Sequence, residues 1–230
     1  MRRPATAPSR ALISSGGSLL SAAAIEEFFA RLAVANPAPH TELVYRDPYS
    51  LLVAVVLSAQ ATDVGVNRAT SPLFDAAPTP AAMVALGEER VRDFIKTIGL
   101  FRTKARNVVA LSIALIERHG GKVPHDRAAL EALPGVGRKT ANVVLNEAFG
   151  DATIAVDTHV FRVSNRTGLA PGRTPDAVEA VLERVVPPGY KHGAHHWLIL
   201  HGRYVCLARR PSCPSCVAAE LCLFEAKTSS

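Results

Sequence analysis

The segment Leu133-Pro134-Gly135-Val136-Gly137-Arg138-Lys139-Thr140 places an amine just inside the start of a helix. Proline and two glycines force a tight turn between two helical segments, and the second segment starts near Gly137. Backbone N–H groups at such a start, with the helix dipole behind them, make a seat for a phosphate. The end of this turn has some likeness to a P-loop. However, Arg138 separates Gly137 from Lys139, Ala132 stands where a P-loop needs its first glycine, and the preceding segment is helical rather than strand-like. A plain helix–turn–helix carrying a solvated lysine stays open on these residues alone. Asp157 follows Lys139 by eighteen residues, inside Ile154-Ala155-Val156-Asp157-Thr158-His159-Val160. Its simplest role is to cap the next helix, and a carboxylate at a helix start can also face a ligand. No serine nucleophile motif accompanies Asp157 and His159, so a hydrolase dyad is set aside.

All four cysteines lie near the C-terminus, as Cys206, Cys213, Cys216 and Cys222, in a C-x6-C-x2-C-x5-C array. Such clustering points to one shared role. Four thiolates at short spacing suit tetrahedral zinc, although zinc sites usually carry two C-x2-C knuckles and this array has one. They also suit an iron–sulfur cube, and the spacing leaves both metals open. His192, His195, His196 and His201 surround the apolar run Trp197-Leu198-Ile199-Leu200. They are expected to serve the core and interhelix hydrogen bonds rather than a metal.

The elements that must hold these residues are helices. Ile25, Phe28, Phe29 and Leu32 fall at i, i+3, i+4, i+7, as do Val91, Phe94, Ile95 and Ile98. The same spacing recurs in Ala141, Val144, Leu145 and Ala148, and in Val178, Val181, Leu182 and Val185. Each set is one apolar stripe on one helix face. Thr79-Pro80 and Thr174-Pro175 look like an N-cap followed by proline at the first helical position, and Gly120-Gly121 and Gly150 sit where C-caps belong. Clear period-2 stretches are absent, so the fold class is all-α.

The chain has 230 residues and a net charge of +6. Arg2, Arg3 and Arg10 lie in an acid-free N-terminal stretch, which leaves +3 for the remainder. Global charge is therefore a weak argument for nucleic acid, and local placement of Lys and Arg must carry it. No run approaches the roughly 18 to 20 apolar residues of a bilayer span. The N-terminal apolar stretch is broken by Ser14-Ser15-Gly16-Gly17, a poor signal-peptide core. Residues 1–20 read as a disordered basic tail, with a transit peptide as the alternative, and a cytoplasmic, nucleoid-associated protein is expected with no membrane partner.

The glycine hairpin with Lys139, Asp157 downstream and the four-cysteine array, in this order and spacing, resemble the endonuclease III family of helix–hairpin–helix DNA glycosylases. The resemblance runs from about Ile25 to about Phe224. It includes Leu57-Ser58-Ala59-Gln60-Ala61-Thr62-Asp63, Thr97-Ile98-Gly99-Leu100, Leu133 to Asn146, and His195 to Cys206. Phe101 and Ser164 depart from the family pattern, and neither is a chemical residue.

That resemblance implies a [4Fe–4S] cluster on Cys206, Cys213, Cys216 and Cys222 in place of zinc. It implies two helical domains with a DNA cleft between them: a six-helix domain at 41–152 with the hairpin, and a discontinuous one joining 21–40 to 153–225, with 226–230 as a tail. The implied function is bifunctional base excision on double-stranded DNA carrying a damaged base or an abasic site, acting as a monomer, with oxidised pyrimidines as the family's substrates. Lys139 would attack C1′, form a Schiff base and cleave the strand by β-elimination, while Asp157 stabilises positive charge at the sugar and assists deprotonation. Only a neutral amine attacks, whereas free lysine has a pKa of about 10.4; burial and the helix terminus are expected to disfavour the ammonium. Gln60 and Leu100 match the residues that fill the gap left by a flipped nucleotide. Gly135 and Gly137 belong to the DNA-binding hairpin, and Arg209 and Arg210 lie in a loop the family sets against the DNA backbone. A monofunctional glycosylase lacks lysine at this hairpin position; a silent DNA-binding iron–sulfur protein would need neither Lys139 nor Asp157.

Overall fold

A computed structural model describes residues 19–229, so residues 1–18 of the expected tail, and Ser230, lie outside the described residues. Among the described residues ten α-helices follow one another: α1 Ala22–Ala35, α2 Pro48–Ser58, α3 Asp63–Ala76, α4 Pro80–Ile95, α5 Phe101–His119, α6 Arg127–Glu131, α7 Arg138–Phe149, α8 Thr158–Thr167, α9 Pro175–Val185 and α10 Lys191–Tyr204. No strand occurs among the described residues, and the all-α class expected from the sequence holds.

The helix boundaries follow the capping chemistry. The hydroxyls of Thr79 and Thr174 accept from the amides of Ala82 and Ala177 at 3.2 Å, with proline at the first helical position in both. Gly120 and Gly150 close α5 and α7 in the left-handed region. Gly87, at φ 78°, breaks α4 in mid-course.

The apolar stripes sort into two clusters. Helices α2 to α7 surround one, and α2 is at its centre, with nine consecutive residues from Tyr49 to Leu57 buried. The second cluster takes Ile25, Phe28, Phe29 and Leu32 of α1 together with the inner faces of α8, α9 and α10. The extended segment between α7 and α8 runs along the border. Its side chains alternate, so Ala155 packs into the first cluster while Ile154 and Val156 pack into the second.

Helix α7 meets this border through buried polar contacts. The carbonyl of Asn142 accepts from the Thr153 hydroxyl at 2.6 Å. The Asn146 amide donates to the carbonyls of Asp151, Thr153 and His192 at 2.8, 3.3 and 3.2 Å. From α9, the buried carboxylate of Glu179 accepts from Arg138 Nε at 2.9 Å and from Asn142 Nδ2 at 3.1 Å. These bonds satisfy backbone and side-chain groups that would otherwise be buried without partners.

Glu179 thus joins α7 to α9 at the turn of helix that also carries Lys139. Replacing it by leucine strands the buried Asn142 donor, while the half-exposed Arg138 turns to water, and the unfolding free energy should fall by about 1–3 kcal/mol in chemical denaturation.

Candidate active site

The hairpin is built as the sequence suggests. Gly137 is the N-cap of α7 in extended conformation, with no side chain capping the helix. Val136 N–H closes the turn on the Leu133 carbonyl at 3.1 Å. Gly135 sits at φ 77°, and a Cβ there would lie 2.8 Å from Nδ2 of Asn107 on α5, so the turn is pressed against that helix. Gly137 has open space where a side chain would point.

Asp157 caps α8: its Oδ1 accepts from the amides of His159 and Val160 at 2.8 Å each. The capping role read from sequence is therefore real, and it leaves the carboxylate half-buried at the positive end of a helix. Lys139 and Asp157 line one cavity, where the N-terminal turn of α7 meets the N-cap of α8. Lys139 itself is exposed, which corrects the expectation of a buried amine. Its place in the first turn of α7, at the mouth of the cavity, holds it in water until something covers it.

Residues without a catalytic role expected from the sequence complete this cavity. His195 and Arg203 come from α10, Glu42 from the connection before α2, and Asp63 from the start of α3. Arg203 Nη1 binds Asp63 Oδ2 at 2.5 Å and also pairs with Glu42, so three distant segments share one cation. Desolvation opposes the Arg203 charge, but the two carboxylates outweigh it and raise its pKa. Asp63 and Arg203 lie within motifs visible in sequence; Glu42 gave no signal, because only the folded chain brings it to them. Of the four histidines, His195, His196 and His201 are buried as expected, whereas His192 is exposed and contributes only its backbone carbonyl. The interhelix role fits His196, whose Nε2 lies 2.7 Å from Glu147 Oε1.

Gln60 and Leu100 are set apart by backbone conformation. They are the only non-glycine residues with positive φ among the described residues, at 55° and 58°. Such strain in an L-residue persists only where the surroundings impose it. Both side chains are exposed, Leu100 to 58 %. The two turns adjoin, since a Cβ on Gly99 would stand 3.8 Å from the Gln60 carbonyl oxygen. A polar and an apolar side chain are thus held out together on neighbouring strained turns.

The four cysteines are free, half-buried and line a single cavity with His201, Arg166 and Phe224. Donors face the sulfurs: Phe224 N–H at 3.4 Å from Cys222 Sγ and Arg166 Nη1 at 3.7 Å from Cys206 Sγ, with His201 Nε2 at 3.6 Å from Cys216 Sγ. Burial pushes the thiols of Cys216 and Cys222 up, and the neighbouring cysteines add to it, so four thiolates here call for a cationic centre. A single tetrahedral zinc would need sulfurs about 3.8 Å apart. Among the described residues no three His, Cys, Asp or Glu side chains converge on such a point, although all four thiols face one space. Four thiols around one space are the donor set that a thiolate-bound metal centre takes. Arg209 and Arg210, in the loop between Cys206 and Cys213, are exposed. From α8, Arg162 and Arg166 grip the carbonyls of Gly202, Cys206, Leu207 and Ala208, which ties the helix capped by Asp157 to the cysteine loop.

Known proteins are similar to this chain in sequence and fold. Residues 53–188 match the family described as HhH-GPD superfamily base excision DNA repair protein. Endonuclease III of Escherichia coli strain K12 is 59 % identical over 201 residues, covering 87 % of this chain and 95 % of that protein. Endonuclease III of Treponema pallidum strain Nichols is 57 % identical over 204 residues, covering 89 % and 97 %. A solved endonuclease III, trapped with DNA as a covalent intermediate, superimposes with a TM-score of 0.84 at 46 % identity, over 89 % of this chain and 97 % of that one. A thermostable thymine-DNA glycosylase follows at TM-score 0.79 and 26 % identity, over 88 % and 96 %.

The hairpin geometry separates its two glycines. Gly135→Ala forces a Cβ into the left-handed region and against Asn107, and should lower the denaturation free energy by about 1–3 kcal/mol. Gly137→Ala meets open space at ordinary φ and should cost no more than about 1 kcal/mol.

Proposed function

The chain belongs to the HhH-GPD superfamily, and within it to the endonuclease III family, and from this membership we propose the roles of its residues in a base-excision DNA glycosylase with AP lyase activity. The observation that carries the assignment is the shared cavity of Lys139 and Asp157. DNA is the partner, and a damaged base or an abasic site is the substrate feature that the cavity accepts. The two apolar clusters act as two domains, roughly 41–152 and 21–40 with 153–225, and the cavity opens between them. The protein works as a monomer, and a cytoplasmic site close to the nucleoid suits such a substrate; no helix among the described residues is long and apolar enough to cross a membrane.

A base inside a duplex cannot reach a cavity, so the nucleotide is extruded at a cost of a few kcal/mol. Gln60 and Leu100 occupy the vacated stack, and their strained turns hold them ready for it. The α7 amides around Gly135 and Gly137 receive a backbone phosphate, and the exposed Arg209 and Arg210 meet others. Lys139 Nζ then forms a bond to C1′ as the base leaves with the C1′–N bond electrons. Ring opening gives the Schiff base, and loss of a C2′ proton expels the 3′ phosphate. Asp157 stands beside the developing positive charge of the sugar and accepts a proton from the amine. Because Lys139 is exposed in the free protein, its desolvation comes with the DNA, which closes the mouth of the cavity.

Cys206, Cys213, Cys216 and Cys222 would hold a [4Fe–4S] cluster, which supplies a rigid multi-iron centre for the loop. The chain's own contribution is the set of N–H donors around the sulfurs and the α8 arginines that fix the loop.

Three outcomes are expected. Lys139→Gln removes the nucleophile but keeps the hairpin amides, so borohydride trapping and strand cleavage should vanish while affinity for abasic DNA persists. Asp157→Asn should lower base excision by about 10²-fold or more and spare part of the lyase step on a preformed abasic site; equal loss of both steps would remove its electrostatic role. Purified protein should be yellow-brown and contain about four irons per chain, and stoichiometric zinc from an iron-replete host would refute the cluster.

A further inference from the structure

The cavity around Lys139 contains one polar group that nothing else in the protein explains. His195 is 1 % exposed and lines the same cavity as Lys139 and Asp157, yet its Nδ1 has no hydrogen-bond partner. A buried ring nitrogen without a partner is a standing cost, and a fold keeps it where the group has another use.

The surroundings define what this imidazole can do. Burial, then the adjacent His196 and Lys139, hold its pKa down to about 3, and a hydrogen bond with the Ala155 backbone works weakly in the other direction. The ring is therefore neutral throughout the working range, with one N–H and one lone pair. Nδ1 is the nitrogen left without a partner, and with the proton on the other nitrogen it is an acceptor. So weak a base does not retain a proton from an amine, which rules out general-base work. It can still accept a hydrogen bond.

The acceptor is also held in place. The ring of His196 meets that of His195 edge-on, with centroids 4.9 Å apart. His196 Nε2 lies 2.7 Å from Glu147 Oε1, and the Tyr45 hydroxyl donates to Glu147 Oε2 at 3.1 Å. Burial pushes the Glu147 carboxyl up, but His196 and Tyr45 outweigh it, so it stays ionised and anchors the pair.

We propose that His195 is a positioning residue for Lys139: its unprotonated ring nitrogen accepts an N–H from the Lys139 amine and so turns the amine's own lone pair toward C1′. A free amine at the end of a flexible four-carbon stem samples many orientations, and one fixed acceptor removes most of them. The proposal rests on the reading of Lys139 as the nucleophile.

The test is the single-turnover rate of borohydride trapping on duplex DNA with a preformed abasic site, measured against protein concentration with iron-loaded protein. His195→Leu should lower the maximal rate about tenfold or more and leave the half-saturating concentration unchanged. An amide acceptor should restore it: His195→Asn places a polar atom at the Nδ1 position and recovers most of the rate, whereas His195→Gln, which reaches that of Nε2, does not. A maximal rate unchanged in His195→Leu, a loss expressed wholly in half-saturation, or failure of His195→Asn to recover the rate would overturn the proposal. If His195→Leu does not fold, His195→Asn decides alone, because a low rate there refutes an acceptor role. Lys139→Gln run alongside separates the two levels. Trapping that persists there refutes the nucleophile and this inference with it, whereas a silent Lys139→Gln beside a fully active His195→Leu refutes only the role of His195.

Discussion

The position of Lys139 against Asp157 depends on the buried polar seam along α7. The two residues begin different helices and belong to different apolar clusters, and apolar packing alone is non-directional. Directional bonds supply what packing cannot. Asn142 holds Thr153 by its carbonyl, and Asn146 holds the backbone of Asp151, Thr153 and His192. Together they fix the extended segment that ends at Asp157 in one register against α7. Glu179 adds the constraint from α9, through the residue next to Lys139. A one-residue slip of that segment would exchange Ala155 with its neighbours between the two clusters, so packing and hydrogen bonding enforce the same register.

Much of this was legible in the sequence, for identifiable reasons. Periodicity and caps are local properties, so the helix starts at Thr79, Thr174, Gly137 and Asp157 could be read from neighbouring residues alone. The hairpin was legible because only Gly135 fits its left-handed turn against Asn107. The pairing at the rim of the cavity was not: Asp63 and Arg203 lie in visible motifs, but with Glu42 they become one group only through a shared guanidinium. The strain at Gln60 and Leu100 was equally hidden, because neither residue type favours positive φ and the conformation is imposed from outside. Two readings failed on exposure: His192 turns to solvent at the first turn of α10, and Lys139 stays at the open mouth of its cavity. In both cases the residue lies at the N-terminal end of a helix, where the amphipathic pattern says least about which side is covered.

On the proposed assignment of Lys139 as the nucleophile, its exposure has a physical consequence. On that reading the free protein keeps the amine solvated, and the environment that would activate it is completed by the DNA. Around it, Asp157, the α7 terminus and His195 are already held by bonds that do not involve the substrate. The cysteine loop extends this preorganisation outward, since Arg162 and Arg166 couple it to α8 and hence to the helix that Asp157 caps.

The most direct measurement is the location of the covalent bond itself. Wild-type protein is reduced with borohydride on abasic-site DNA, digested with protease and nuclease, and the modified peptide is sequenced by tandem mass spectrometry. The sugar-derived adduct should map to Nζ of Lys139 alone. An adduct at the N-terminus, or at another lysine such as Lys191, would contradict the assignment of Lys139 as the nucleophile and with it the chemical role given to the cavity.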